Sequence, residues 1–96
     1  MSKIYQLAIY KDISDAEKLA AYAAIAGPAL TAAGGRFLSR GMPIGLQEEG
    51  EMTRTVLLEW DDIDTAKAGF ASTEYQRALA ALGDGAIRDI RYLDGI

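Results

Sequence analysis

The sequence predicts an α+β fold of order β-α-β-β-α-β, in which one antiparallel sheet carries both helices on one face. Four stretches place apolar residues with the two-residue period of strands, and two alanine-rich stretches place them at helical spacing. Turns that contain glycine or acidic residues separate these stretches. Right-handed crossovers and short connections fold this order into a two-layer sandwich.

Length, charge and hydropathy restrict the class of protein. The 96 residues predict a single domain, residues 1–96. The net charge of −4 argues against nucleic acid and against acidic membrane surfaces, since both attract a basic face. No apolar run is long enough to span a membrane, and the start of the chain lacks the apolar stretch of a signal peptide. We therefore predict a cytoplasmic protein with no nucleic-acid or membrane partner.

The missing residue types exclude several kinds of site. The sequence has no cysteine and no histidine, which rules out thiolate nucleophiles, zinc–sulfur sites, imidazole-ligated haem and Ser-His-Asp triads. Acid–base chemistry would fall to Asp, Glu, Tyr or Lys. The acidic cluster Asp61, Asp62 and Asp64 lacks the spaced oxygen ligands of a calcium loop, so we interpret it as helix capping. We expect no metal and no cofactor.

The first strand is predicted over Lys3–Tyr10, with apolar side chains on both faces. A helix follows, and Ser14 with Glu17 three positions later predicts a capping box at its start. Its core-facing side chains are predicted to be Leu19, Tyr22, Ala23, Ala26 and Leu30. The Gly-Pro pair at 27–28 is expected to interrupt this helix, and the Gly-Gly pair at 34–35 to end it.

The second strand is predicted over Arg36–Leu46, or it breaks up near residues 41–43, where Pro43 implies an edge position or a bulge. Strict alternation places Phe37 and Arg40 on opposite faces of this strand. Residues 47–51 suit the tip of a hairpin, so the third strand returns antiparallel and ends at Trp60. The fully apolar face of the third strand consists of Val56, Leu58 and Trp60.

The second helix is predicted in two pieces, because the Ser-Thr pair at 72–73 can cap a new helix. Asp64 is expected to cap Thr65–Ala71, and Ser72 or Thr73 to cap the stretch from Glu74 to about Leu82. The side chains predicted to be buried are Phe70, Tyr75, Leu79 and Leu82. A glycine-rich turn then leads to the last strand, Ala86–Leu93.

The apolar residues of the sheet exceed what one layer of helices can cover. The first strand carries Tyr5, Leu7 and Ile9 on one face and Ile4, Ala8 and Tyr10 on the other. Whichever set meets the helices, the other would be exposed in a monomer. We therefore predict a homodimer that pairs sheet against sheet, because a two-fold axis makes such a patch self-complementary.

Two short motifs resemble the signatures of a known family. The run AGGRFLSRG at residues 33–41 and the run STEYQ at residues 72–76 resemble those of a small bacterial family, the domain of unknown function DUF1330. The similarity extends over nearly the whole chain. It implies the ferredoxin-like fold and the paired sheets of the dimeric α/β-barrel superfamily. That superfamily includes cofactor-free monooxygenases, haem enzymes, isomerases and binding modules, so the resemblance implies no particular reaction.

Four residues are the candidates for a pocket between sheet and helices. Arg40 lies mid-strand, which suits either recognition of an anion or carbonyl, or a salt bridge to an acid such as Glu59. Tyr22 and Tyr75 would present phenols to the pocket or serve as core aromatics, and Trp60 would stack on a flat ligand or pack in the core. We assign Arg40, Tyr22 and Tyr75 as catalytic candidates, and Trp60 and Arg40 as substrate-binding candidates.

Two functions remain open from the sequence. The first is a small-molecule-binding, cofactor-independent enzyme, similar to a monooxygenase or an isomerase, in which Arg40 polarises an oxygen and a tyrosine moves a proton. The second is a non-catalytic dimeric binding or stress-related module. No carboxylate lies plainly in an apolar setting, which would mark a tuned general base. The sequence does not separate these two hypotheses.

Overall fold

The computed structural model, which describes residues 3–96, confirms the predicted α+β class. Its elements are β1 (Ile4–Ile13), α1 (Ala16–Ala32), β2 (Arg36–Gly41), β3 (Thr55–Trp60), α2 (Ile63–Ala71), α3 (Thr73–Leu82) and β4 (Ala86–Asp94). The predicted second helix is thus two helices that meet at Ser72. Across residues 3–96, no helix is both long enough and apolar enough to cross a membrane.

The four strands form one antiparallel sheet in the order β2-β3-β1-β4. Alternation along β1 and β3 divides the sheet into a helix-covered face and an open face. On the covered face the buried side chains are Ile4, Gln6, Ala8, Tyr10, Val56, Leu58 and Trp60. The open face carries Tyr5, Leu7, Ile9 and Leu57, which are half-buried. The sheet therefore has an apolar surface that the helices do not cover.

A β-bulge at Leu38 corrects the predicted faces of β2. Phe37 pairs with Leu58, whereas Ser39 pairs with Leu57 and Arg40 with Val56, so Leu38 is an extra residue in this strand. One extra residue reverses the alternation beyond it. Arg40 therefore lies on the same, helix-covered face as Phe37, and the prediction of opposite faces was wrong.

The first and second helices begin with acidic caps that differ from the predicted ones. The carboxylate of Asp15, and not Ser14, accepts hydrogen bonds from the N–H groups of Glu17 and Lys18. The carboxylate of Asp62, and not Asp64, accepts from the N–H of Thr65. The charge of Asp15 near the positive end of the helix dipole favours it over Ser14, whereas Asp62 and Asp64 carry the same charge, and Asp62 is the cap because the helix begins at Ile63. Ser72 caps α3, as the sequence predicted.

The first helix continues through Pro28, where the sequence predicted an interruption. A proline disfavours helix because its ring meets the N–H and Cβ of the preceding residue and the carbonyl four residues earlier. Gly27 precedes Pro28 and has no Cβ, so one part of this clash is absent. The Ala24 carbonyl, which loses its helical donor, lies on an exposed turn where water can replace it. The helix ends where the sequence predicted, next to Gly34 with its positive φ of 109°.

Trp60 is the centre of the core between sheet and helices. Its side chain is fully buried, with 0% exposure, and Tyr75, Ala78 and Leu58 pack in the same cluster. Phe70, which was predicted to be buried, is 40% exposed. It touches the rim of the core through Tyr75, at a ring-centroid distance of 5.2 Å. The helix turn that faces the core at this level carries Gly69 instead.

We expect Gly69→Ala to destabilise the protein although alanine favours helix. A Cβ on Gly69 would lie 2.8 Å from Cη2 of Trp60 and 3.1 Å from the Cβ of Ala33. Overpacking a filled core costs about 1–3 kcal/mol, which exceeds the gain of up to about 1 kcal/mol in helix propensity. Thermal unfolding measures the change. Gly45→Ala, where a Cβ meets nothing within 4 Å, is the matched control. A Gly69→Ala protein as stable as the original would contradict this packing.

Candidate functional site

A cavity lies between α1 and the helix-covered face of the sheet. Its volume is about 50 Å³, and roughly 10–15 Å³ of such volume holds one water molecule. The polar and aromatic side chains that line it are Gln6, Tyr10, Tyr22, Arg40, Arg54 and Arg88. The apolar part of its wall includes Leu19, Phe37, Val56 and Leu58. The cavity is therefore small, largely apolar and ringed by cations.

The register of the sheet brings the three arginines together. Arg88 of β4 pairs with Tyr10 of β1, and the Tyr10 N–H donates to the carbonyl of Arg54 just before β3. Arg54 and Arg88 therefore flank Tyr10 at one level of the covered face. Arg40 pairs with Val56, two residues beyond Arg54, and reaches this face because of the bulge at Leu38.

These guanidinium groups lie over aromatic rings and not beside carboxylates. Arg40 Cζ is 4.9 Å from the ring centroid of Phe37, and Arg88 Cζ is 4.8 Å from that of Tyr22. Arg54 and Arg88 lie 5.9 and 5.7 Å from the Tyr10 ring. Within residues 3–96, no acidic side chain forms an ion pair with any of the three. Arg54 and Arg88 are half-buried, so their cation–π contacts offset part of their desolvation, whereas Arg40 is exposed to solvent.

Arg54 has an unsatisfied donor. Its Nε is buried and has no hydrogen-bond partner among the described residues. Leaving a buried donor unpaired costs about 1–3 kcal/mol, and more when the group is charged. An acceptor bound in the cavity would remove that cost, so Arg54 is the residue that most clearly indicates a ligand.

Tyr22 connects the cavity to the core through a hydrogen-bonded group. Its hydroxyl lies 2.8 Å from that of Tyr75 and accepts a hydrogen bond of 2.8 Å from Nη1 of Arg88. Burial and then the neighbouring Tyr75 raise the pKa of Tyr22 above its ordinary value of 10.0, although Arg88 acts in the opposite direction. The Tyr22 phenol is therefore neutral at physiological pH, where it donates or accepts a hydrogen bond but is a poor base.

The four residues predicted to share a pocket are only partly brought together. Tyr22 and Arg40 line the cavity, whereas Trp60 and Tyr75 lie behind its wall. Trp60 donates from Nε1 to the side-chain oxygen of Gln6, 2.9 Å away, and Gln6 lines the cavity. Tyr75 lies behind Tyr22, and their hydroxyls are 2.8 Å apart. In this structure, Trp60 and Tyr75 are positioned to support the cavity wall and not to touch a ligand.

The carboxylates near these residues serve other contacts. Glu59, the predicted salt-bridge partner of Arg40, instead accepts a hydrogen bond of 2.8 Å from Nε of Arg36. This bond lowers the pKa of Glu59. Asp61 pairs with Lys3 and Arg36. Among the described residues, no three acidic side chains lie close enough together to bind a metal ion.

Sequence reasoning missed two of the three arginines. Arg54 is in phase with the apolar positions 56, 58 and 60, and Arg88 is in phase with Ile90 and Tyr92. An arginine in phase with the buried apolar residues of a strand is the signal that could have identified both. Arg40 has no such signal, since its alternation is reversed by the bulge.

These features define the class of protein: a ferredoxin-like α+β chain with a cationic cavity between its sheet and its first helix. The sequence profile of the family described as "Domain of unknown function (DUF1330)" matches residues 3–96, so the chain belongs to that family. The resemblance in the sequence is thereby confirmed. Among curated proteins, none matches this sequence significantly.

Solved structures share the fold at low sequence identity. A protein of unknown function from Rhodopseudomonas palustris has a TM-score of 0.70 at 17% identity, covering 97% of this chain and 80% of its own. An antibiotic biosynthesis monooxygenase-like protein from Bordetella bronchiseptica has a TM-score of 0.69 at 17% identity, covering 100% and 99%. SnoaB, a cofactor-independent oxygenase from Streptomyces nogalater, has a TM-score of 0.57 at 15% identity, covering 96% and 89%. At such identities these likenesses establish the fold alone.

Proposed function

We propose that this protein binds a small organic anion in the cavity between the sheet and α1. The observation that carries this proposal is the group of three arginines, Arg40, Arg54 and Arg88, which line the cavity without a carboxylate partner among the described residues. Arg54, one of these lining residues, also has the buried Nε without a hydrogen-bond partner among the described residues. A carboxylate suits these donors, because its oxygens accept the charge-assisted hydrogen bonds that guanidinium groups make.

The site supports binding better than acid–base catalysis. Within residues 3–96, no carboxylate lines the cavity, and burial raises the pKa of Tyr22, so the described wall offers no ready proton acceptor at neutral pH. Arg40 fits the recognition of negative charge, and Tyr22 holds Arg88 in place by accepting its hydrogen bond. A binding module is therefore the first candidate function.

A cofactor-independent oxygenase is the second candidate. It is favoured by the fold shared with SnoaB and by the arginines, which would stabilise a substrate that enters as an enolate or phenolate. Dioxygen uptake by the protein with an easily ionised phenol, compared with the phenol alone, separates the two candidates. Uptake that requires the protein would favour the oxygenase.

Arg54→Gln should weaken the binding of small carboxylates about tenfold or more. The substitution removes the charge and the unsatisfied Nε but keeps a polar, unbranched side chain at this position. Calorimetric titration with benzoate and with its neutral amide measures the effect, and only the acid should bind well. Arg77→Gln removes the same charge from an exposed position of α3 outside the cavity, and is the control. Equal affinity of the Arg54→Gln and Arg77→Gln proteins would refute the site.

We also propose that two copies pair through the open face of the sheet. The support is the set Tyr5, Leu7, Ile9 and Leu57, which the helices leave uncovered, together with Leu93 of β4, which is 52% exposed beside Tyr5. Burying such a face on an identical one removes apolar area from water on both copies. The cytoplasmic location expected from the sequence stays a prediction.

A further inference from the structure

We infer that the bound anion is the carboxylate of an amphipathic acid whose apolar tail leaves the cavity along the groove between α1 and β2. This inference rests on the proposed function and specifies the class of ligand. It starts from the size of the cavity. A volume of about 50 Å³ holds about three to five water molecules at roughly 10–15 Å³ each. That is room for a carboxylate group but not for a whole organic molecule, so the remainder of any larger ligand must lie outside.

One groove continues directly from the cavity. Ala23, Gly27, Phe37 and Arg40 line both spaces, which makes them the common border. The groove has a volume of about 620 Å³ by the same measure and is open to solvent. Beyond the border its further lining residues are Ala24, Pro28, Thr31 and Ala32. A ligand that passes the border therefore meets a long surface on α1 and the edge of β2.

The groove differs from the cavity in its chemistry. Its walls are small or apolar side chains, and among the described residues Arg40 is the sole charged one that lines it. The Arg40 guanidinium lies over the Phe37 ring at the border, 4.9 Å from its centroid, where it can pair with a carboxylate without blocking an apolar tail. At Gly27 a Cβ would meet nothing within 4 Å, so the missing side chain leaves open space at the same point. The positive charge at the cavity suits the carboxylate of the ligand, and the apolar surface of the groove suits its hydrocarbon tail.

The affinity of unbranched monocarboxylates should increase with chain length. From acetate to decanoate, below micelle concentrations, we expect Kd to fall about twofold for each added CH₂, because the groove buries one side of the tail. Calorimetry measures the series, and decanol is the ligand control for the charge. If no acid binds, the proposed function itself fails. If acetate and decanoate bind equally well, the anion site stands and the groove inference is wrong.

A charge placed in the groove should reduce only the gain from the tail. Ala24 lines the groove but not the cavity, so Ala24→Glu should lower the ratio of decanoate to acetate affinity about tenfold. Using the ratio cancels the general repulsion between the new carboxylate and any acid. Ala80→Glu introduces the same charge at an exposed position of α3 that lines none of these spaces, and should leave the ratio unchanged. An equal ratio in both variants would contradict the inference.

The position of the tail can also be observed directly. An acid with a nitroxide at the far end of its tail should broaden the amide NMR signals of Ala24, Thr31 and Ala32. A second cleft, on the other side of Arg88, is lined by Lys67, Phe70, Ile90 and Tyr92. Broadening there, with the groove signals intact, would place the tail in that cleft and overturn the inference.

Discussion

We expect Leu57→Arg to convert the proposed homodimer into a monomer or into insoluble material. Leu57 lies on the open face of the sheet between β2 and β1, opposite Ser39 and Leu7. In a symmetric dimer each copy would bring one new cation to the same apolar contact, where both charges would be buried without partners. Burial of apolar area stabilises the dimer by roughly 25 cal/mol per Å². Over an interface of about 1,500 Å², the total would exceed an association cost of about 4–15 kcal/mol.

Light scattering after size exclusion tests this result. The unmodified protein should give about twice the chain mass of 10.3 kDa at micromolar concentration, and the Leu57→Arg protein should give a single chain mass. Ala80→Arg adds the same charge to the solvent side of α3 and should remain dimeric. An unmodified protein that scatters as one chain would end the dimer proposal, whatever the variant does.

Tyr22→Phe should reduce the free energy of unfolding by about 2 kcal/mol and the Tm by on the order of 10 °C. The change removes one hydroxyl but leaves two groups without their partner: the Tyr75 hydroxyl and Nη1 of Arg88. Buried groups left unpaired cost more than the lost bond itself. Tyr92→Phe removes a half-buried phenol that has no hydrogen bond among the described residues, and should change the Tm little. Equal melting temperatures for these two variants would contradict the hydrogen-bonded role of Tyr22.

The same hydroxyl should give the protein a pH dependence in alkali. Burial raises the pKa of Tyr22 in the folded state above the ordinary value of 10.0. The unfolded chain therefore loses this proton first, and the stability that Tyr22 contributes is complete below pH 10 and declines as the pH rises further. Urea unfolding between pH 8 and pH 11 should show this loss in the unmodified protein and a smaller loss in Tyr22→Phe. Identical slopes would show that Tyr22 titrates normally.

The strand that ends at Trp60 shows what the sequence could predict. Its period of two places Val56, Leu58 and Trp60 in phase, which predicts one buried face, and all three side chains are buried in the fold. The same kind of pattern predicted the element order and the surplus apolar face with Tyr5 and Leu7. These predictions depend on local periodicity and on total apolar area, which are properties of the sequence itself.

The end of α1 and the caps show where local signals compete. Ser14 and Asp15 are adjacent and either can cap a helix, and the structure uses Asp15. A proline such as Pro28 disfavours helix, and the glycine before it removes only the part of the clash that involves a Cβ. At the cap two local preferences of similar energy point to neighbouring residues, so the sequence does not choose between them.

The candidate site depends on contacts that no local pattern contains. By itself the sequence determined the fold class, the family, the apolar faces and the absence of thiol and imidazole chemistry, because these follow from residue types and their spacing. Only the tertiary structure decided that Arg40, Arg54 and Arg88 converge on one cavity, since they come from three separate segments whose register is set by strand pairing. One extra residue, Leu38, turned Arg40 onto the covered face, because a shift of one position in a strand reverses every side chain beyond it.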